Sequence, residues 1–134
     1  MSAAIHDLVT KYIDAVGEHR LQDLPPLLEP DAEFTLGDRT FQGSEAFVDA
    51  FRRLLPIIVR NDIRKVFVDG DEACVIYDFV TDTPAGAVVS VEYIKTRNGR
   101  IASSLLVFER QHWDKAVATM VERERQAAAS APTS

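Results

Sequence analysis

Asp78, Glu92 and Asn61 are the residues of this 134-residue chain whose types and spacing could move a proton. All three lie in the run from Arg60 to Glu109, which is rich in strand formers and punctuated by turn signals. With Asp69-Gly70 and Asn98-Gly99 as two-residue hairpin turns and Pro84 to Gly86 as a three-residue loop, position 61 faces 78, 78 faces 92 and 92 faces 105. The expected row is therefore Asn61, Asp78, Glu92 and Leu105. Rows two positions away on the same face hold Val59, Val80, Ser90 and Val107, and Ile63, Ile76, Ile94 and Ser103, so the acids sit on a largely aliphatic surface. Directly opposed antiparallel residues bring Cβ atoms to roughly 5 Å. Two carboxylates that close and away from water cannot both ionise, so a proton is shared or retained. A coupled pair of this kind is what general acid/base chemistry at neutral pH requires. The competing reading has Asp78 and Glu92 facing solvent, or merely satisfied by Asn61 and a basic side chain. The register hangs on the Pro84 loop, where a slip of one residue puts Tyr77 opposite Glu92.

The elements that must position these residues follow from periodicity. Ile5, Leu8, Val9, Tyr12, Ile13 and Val16 recur at helical spacing until Gly17, which predicts an amphipathic helix with Tyr12 in its buried stripe. A short second helix is expected from Asp23 as N-cap, with Pro25 and Pro26 in its first turn and Pro30 ending it. Ala32 to Leu36 and Arg39 to Gln42 read as strands around a Gly37-Asp38 turn. Gly43-Ser44 then opens a third helix with Phe47, Val48, Phe51, Leu54 and Leu55 as its stripe and Pro56 as its stop. A four-stranded antiparallel meander follows. Helical spacing returns from Gln111 to Ala129 through Trp113, Val117 and Val121, and residues 130–134 are expected to form a disordered tail after a single domain spanning 1–129. The other face of the meander mixes Arg60, Asp62, Arg64 and Lys95 with Tyr77, Phe79, Tyr93, Leu106 and Phe108, which suits solvent or a subunit interface.

Composition narrows the function classes. A content of 46% hydrophobic and 27% charged residues supports one core without disulfides or metals. The net charge of −6, with no Lys/Arg cluster interleaved with aromatics, argues against nucleic acid and anionic membranes as partners. Cys74 is the sole cysteine and is expected on the inner face as an inert thiol. The start MSAAIHDLVTKY lacks a signal-peptide layout, so a cytoplasmic location is expected, and no apolar run reaches membrane-spanning length. No histidine pair has ligand spacing, and neither a Gly-rich phosphate loop nor a Ser-His-Asp arrangement is visible, so neither metal nor cofactor is expected.

The order of helix, short helix, small hairpin, helix and long meander resembles the cone-shaped fold shared by nuclear transport factor two, ketosteroid isomerase and SnoaL-like polyketide cyclases. The stretches KYIDAVGEHRLQDLPPLLEPDAEF, RTFQGSEAFVDAF and VEYIKTRNGRIASSLLVFE carry that resemblance over nearly the whole chain apart from the last helix. It implies an α+β fold: a strongly curved antiparallel or mixed sheet, with three helices from the N-terminal half on its concave face and a C-terminal helix. It places the isomerase's oxyanion-stabilising tyrosine on Tyr12. The isomerase's second donor, a protonated aspartic acid, falls at Val91 without gaps and at Glu92 if the hairpin is shortened by one residue. Its proton-shuttling aspartate falls on Leu36, which cannot take a proton. The chain thus looks like the broad SnoaL-like group rather than an orthodox steroid isomerase, and the resemblance implies a homodimer formed through the outer sheet face.

Three functions are open at this point. The first is cofactor-independent general acid/base catalysis on a small, mostly apolar, oxygenated molecule: isomerisation, cyclisation, dehydration or epoxide opening. Here Asp78 and Glu92 exchange the proton, Tyr12 binds an oxyanion, Asn61 orients the pair, Ser90 binds a carbonyl or a water, and Phe34, Leu36, Leu105 and Val107 form apolar walls. The second is a non-catalytic protein of the same fold that binds a small apolar ligand. The third is an association module that dimerises through its outer face.

Overall fold

In a computed structural model, which describes residues 2–130, the first amphipathic stretch forms helix α1 (Ser2–Gly17). It buries Val9, Tyr12, Ile13 and Val16 against the sheet. The expected second helix is replaced by two single 3-10 turns, Leu21–Asp23 and Pro25–Leu27, and Pro30 lies inside the next strand. A segment this short, with two consecutive prolines, cannot repay the cost of nucleating an α-helix. Strand β1 (Leu28–Leu36) turns through Gly37, at φ +62°, into β2 (Arg39–Gln42). Helix α2 (Ser44–Arg52) buries Phe47, Val48 and Phe51, and Pro56 sits in a 3-10 turn just beyond it.

The meander consists of β3 (Ile58–Asp69), β4 (Glu72–Thr81), β5 (Ala87–Arg97) and β6 (Arg100–Phe108), followed by α3 (Arg110–Ala129). Sheet order is β2-β1-β6-β5-β4-β3; only the β1–β6 pairing is parallel, so the fold is α+β with a curved, unclosed, mixed six-stranded sheet. Irregular pairings between Ile63 and Lys65 in β3 and between Lys95 and Thr96 in β5 supply bends, because an extra residue on one strand kinks and twists it. Helix α1 lies against β3 and β4, and α2 against β1 and β2. Ser130, expected in the tail, caps α3 through its N–H to the Gln126 carbonyl at 3.0 Å; residues 131–134 lie outside the described residues. Among the described residues no helix is long and apolar enough to cross a membrane.

The register departs from the sequence expectation at each connection of the meander. The Asn98-Gly99 turn forms as expected, with both residues at positive φ, but the irregularity at Lys95 pairs Glu92 with Leu106 instead of Leu105. Ser104 and Leu106 therefore point inward, while Leu105 and Val107 alternate outward and are exposed. The first turn residues are Gly70 and Asp71 rather than Asp69 and Gly70, and Asn61 pairs with Phe79. The largest change is at the Pro84 loop. Thr83 to Gly86 closes as a turn with Gly86 at φ +64°, yet Val80 pairs with Ala87, so Asp78 faces Val89 and Glu92 faces Val75. The Thr81 hydroxyl donates to the Gly86 carbonyl at 2.8 Å, and the Thr83 hydroxyl accepts from the Ala85 N–H at 3.2 Å. These side-chain bonds draw Asp82 and Thr83 out of the ladder and into the loop. The shift is three residues, an odd number, so β4 exchanges faces relative to β5. Tyr77 and Phe79 turn into the core; Asp78 and Cys74 turn out of it, Cys74 contrary to its expected inner placement.

Candidate functional site

Glu92 is the one expected acid that the fold places in the core. Its side chain is 1% exposed, on the concave face of β5 beneath α1. Oε1 accepts hydrogen bonds from the Tyr12 hydroxyl at 2.6 Å and the Ser104 hydroxyl at 2.7 Å, and Oε2 accepts from the Tyr77 hydroxyl at 2.7 Å. Burial pushes the Glu92 carboxyl above its ordinary range, against the downward pull of the three hydroxyls. Burial, reinforced by Glu92, also holds Tyr12 and Tyr77 well above the usual phenol range, so both remain donors. Tyr12 is locked further by edge-on contacts with Phe47 and Phe51, ring centroids 5.8 and 5.9 Å away. Sequence reasoning found Tyr12 and Glu92 but missed Ser104 and Tyr77, which its register put on the other face.

The other expected site residues scatter. Asp78 lies on the convex face, its side chain 22% exposed, and accepts two bonds of 2.9 Å from the Arg64 guanidinium. The coupled carboxyl pair is therefore not formed. Asn61 donates to the Ile13 carbonyl at 3.1 Å and ties β3 to α1 instead of orienting an acid. Ser90 is buried and donates to the Val88 carbonyl at 3.1 Å. Phe34 is fully buried in a ring cluster with Phe41, Phe47 and Phe51.

Leu36, Leu105 and Val107 do reach a surface groove, because β6 runs on past the end of β1. The groove encloses about 940 Å³ between the β1–β2 turn, α2, the end of β6 and α3. Phe41, Leu54, Leu106, Phe108, Trp113 and Met120 give it an apolar lining. The charged residues that border it, Asp38, Arg39, Asp49, Arg53, Arg110 and Asp114, are all exposed. Trp113 lies 4.3 Å from Phe108, centroid to centroid, and meets Phe79 edge-on at 5.8 Å. The volume and apolar lining fit a drug-sized organic molecule. Neither Glu92 nor Tyr12 lines this groove. Trp113 and Val117 were legible as the apolar stripe of the last helix; nothing in the local sequence says which surface that stripe meets. Among the described residues no three His, Cys, Asp or Glu side chains converge to hold a metal ion.

Comparison with known proteins agrees with this architecture. The SnoaL-like domain profile matches residues 9–104. No curated protein matches the sequence significantly. Among solved structures, a putative polyketide cyclase from Sinorhizobium meliloti is 24% identical, with a TM-score of 0.69, covering 75% of this chain and 94% of its own. A steroid delta-isomerase from Pseudomonas aeruginosa is 15% identical, with a TM-score of 0.76 and coverage of 97% and 98%. A de novo designed protein with a curved β-sheet is 24% identical, with a TM-score of 0.78 and coverage of 91% and 98%. These likenesses extend the shared fold beyond the profile's span, and the profile match establishes that the chain belongs to the SnoaL-like domain family.

Proposed function

We propose that this protein binds a small, mostly apolar, oxygenated molecule in the groove beside α3, without acid/base chemistry by an Asp78–Glu92 pair. The observation that carries this reading is the groove itself: its floor is aliphatic and aromatic, and its ionisable residues are confined to exposed positions around it. Isomerisation, cyclisation, dehydration or epoxide opening by two carboxyls would need both in one pocket, whereas Asp78 is engaged by Arg64 and Glu92 by three hydroxyls. The similarity to a steroid isomerase supports the ligand class, not the reaction.

Thermal melts with 2-naphthol, decanol and a fused-ring ketone test the proposal. A ligand at a hundred times its dissociation constant stabilises the fold by about 2.7 kcal/mol. The variant Ala50→Phe, which fills the groove from α2, is expected to abolish the shift, whereas Glu92→Gln should retain it. Turnover of any of these compounds that Glu92→Gln eliminates would favour catalysis instead.

A second reading, compatible with the first, is homodimerisation through the convex sheet face. Leu105, Tyr93, Cys74 and Phe67 form one cross-strand row there, next to Val107, Val91 and Ile76 in another. Phe67 and Val107 are each 54% exposed. A contiguous apolar strip on a sheet face is the kind of surface that a two-fold related copy covers. Sedimentation should show a dimer that Phe67→Asp with Tyr93→Asp converts to a monomer; a monomeric parent protein removes this reading.

A further inference from the structure

We infer that α3 is the gate of the groove: it swings about Glu109, and a polar latch at its far end holds it closed. This rests on the ligand reading of the groove, and it concerns how the ligand enters. One residue, Glu109, separates β6 from α3, so the helix has a single-residue connection at its start. Of its 20 residues only Ala116 and Met120 are buried, with Trp113 and Val117 half-buried beside them near the hinge, so apolar contact holds the first half of the helix and little beyond Met120. Trp113, Val117 and Met120 face the groove and form its wall, so displacing the helix removes one side of the cavity.

The far end is held by charge. Arg123 donates to the Pro56 carbonyl at 2.9 Å, to an Asp82 carboxylate oxygen at 2.7 Å and to the Asp82 carbonyl at 3.3 Å. One residue on, Glu124 accepts from Arg53 at 3.0 Å. Arg53 itself borders the groove, so the latch and the ligand site share a residue. These contacts are exposed, and exposed ion pairs are individually weak and screened by salt. A helix fastened this way opens readily, and an apolar ligand against Trp113 and Met120 adds burial that only the closed position provides.

Trp113 is the only tryptophan in the chain and lies on the moving wall, so its fluorescence reports the gate without any ligand. Acrylamide quenching of Trp113 is measured in the parent protein at 0.1 and 1 M NaCl and in Arg123→Gln/Glu124→Gln, alongside dissociation of 8-anilinonaphthalene-1-sulfonate by stopped flow. The latch variant, and the parent protein at high salt, are expected to show a quenching constant up by about twofold and probe dissociation faster by about threefold or more. Arg53→Gln leaves α3 unaltered and is a second route to the same rise in quenching; it is read by quenching alone, because Arg53 also borders the groove and can pair with the probe's sulfonate. Unchanged quenching in both variants and at high salt overturns the gate. Bound probe whose dissociation ignores the latch overturns it as well. Quenching that rises as expected while no probe binds sustains the moving helix and sinks the ligand reading alone.

Discussion

Replacing Glu92 by Gln is expected to leave the protein folded and to make it progressively more stable than the parent protein as pH rises above about 4.5, the ordinary glutamate value. The argument rests on geometry. The oxygen of the substituted amide can still accept from Tyr12 and Ser104, and its nitrogen can donate to the Tyr77 hydroxyl, so the amide reproduces the bonding of a protonated carboxyl. Burial raises the folded-state pKa of Glu92 above its unfolded value. Its contribution to stability is therefore complete below pH 4.5 and is lost as pH climbs through the folded pKa, because the unfolded chain releases the proton first. An amide carries no such dependence. Urea titrations of both proteins from pH 4 to 8 should give free energies that converge at the acid end and separate toward the alkaline end. Parallel curves would mean that the three hydroxyls hold Glu92 ionised at its ordinary pKa. In the same series Tyr77→Phe strips Oε2 of its hydrogen-bond partner and should cost about 1–3 kcal/mol, the penalty for a buried polar group left unsatisfied.

Gly17→Ala is the second large effect, and it runs against helix propensity. Within a helix Ala is favoured over Gly by about 0.5–1 kcal/mol, and Gly17, the last residue of α1, has no positive φ to offset that preference. Here a Cβ would stand 2.6 Å from the backbone nitrogen of Asn61 and 3.1 Å from its Cβ. Backbone cannot yield as a flexible side chain would, so α1 and β3 must separate. Overpacking of this kind costs about 1–3 kcal/mol, and loss of the Asn61 bond to the Ile13 carbonyl adds about 1 kcal/mol. A net loss of about 3 kcal/mol corresponds to a fall in melting temperature of roughly 10 °C for a chain this size. Asn61→Gly in the same background should not restore it, because the obstructing atom is the backbone nitrogen. An unchanged melting temperature for Gly17→Ala would show that the helix and strand have room to part.

Local periodicity carried most of the fold. The α1 stripe around Tyr12, the Gly37 and Asn98-Gly99 turns and the Gly17 and Pro56 stops are visible because each depends on neighbours within a few residues, whereas Pro30, expected to end a helix, lies inside β1. The short helix at Asp23 failed for a reason that is also local: two prolines in a five-residue span favour isolated 3-10 turns. The candidate site was less legible, because a strand's inward face depends on a count. Thr81 and Thr83 moved that count by three, and the irregularity at Lys95 moved it by one. Asp78, Leu105 and Val107 thereby left the concave face, while Tyr77, Ser104 and Leu106 entered it.

The sequence alone determined that this chain is a helix, hairpin, helix and four-stranded meander, with Glu92 and Tyr12 both on buried faces. Those statements depend on residue spacing, and spacing is written in the chain. Tertiary structure decided that Glu92 meets three hydroxyls instead of a second carboxyl, and that the cavity opens beside α3 rather than over the acids. Both outcomes depend on where segments far apart in the chain come to rest. That is settled by strand register and by which apolar stripe finds which surface, and the Thr81 and Thr83 hydroxyls that bond backbone across one loop accompany a register shift of three residues.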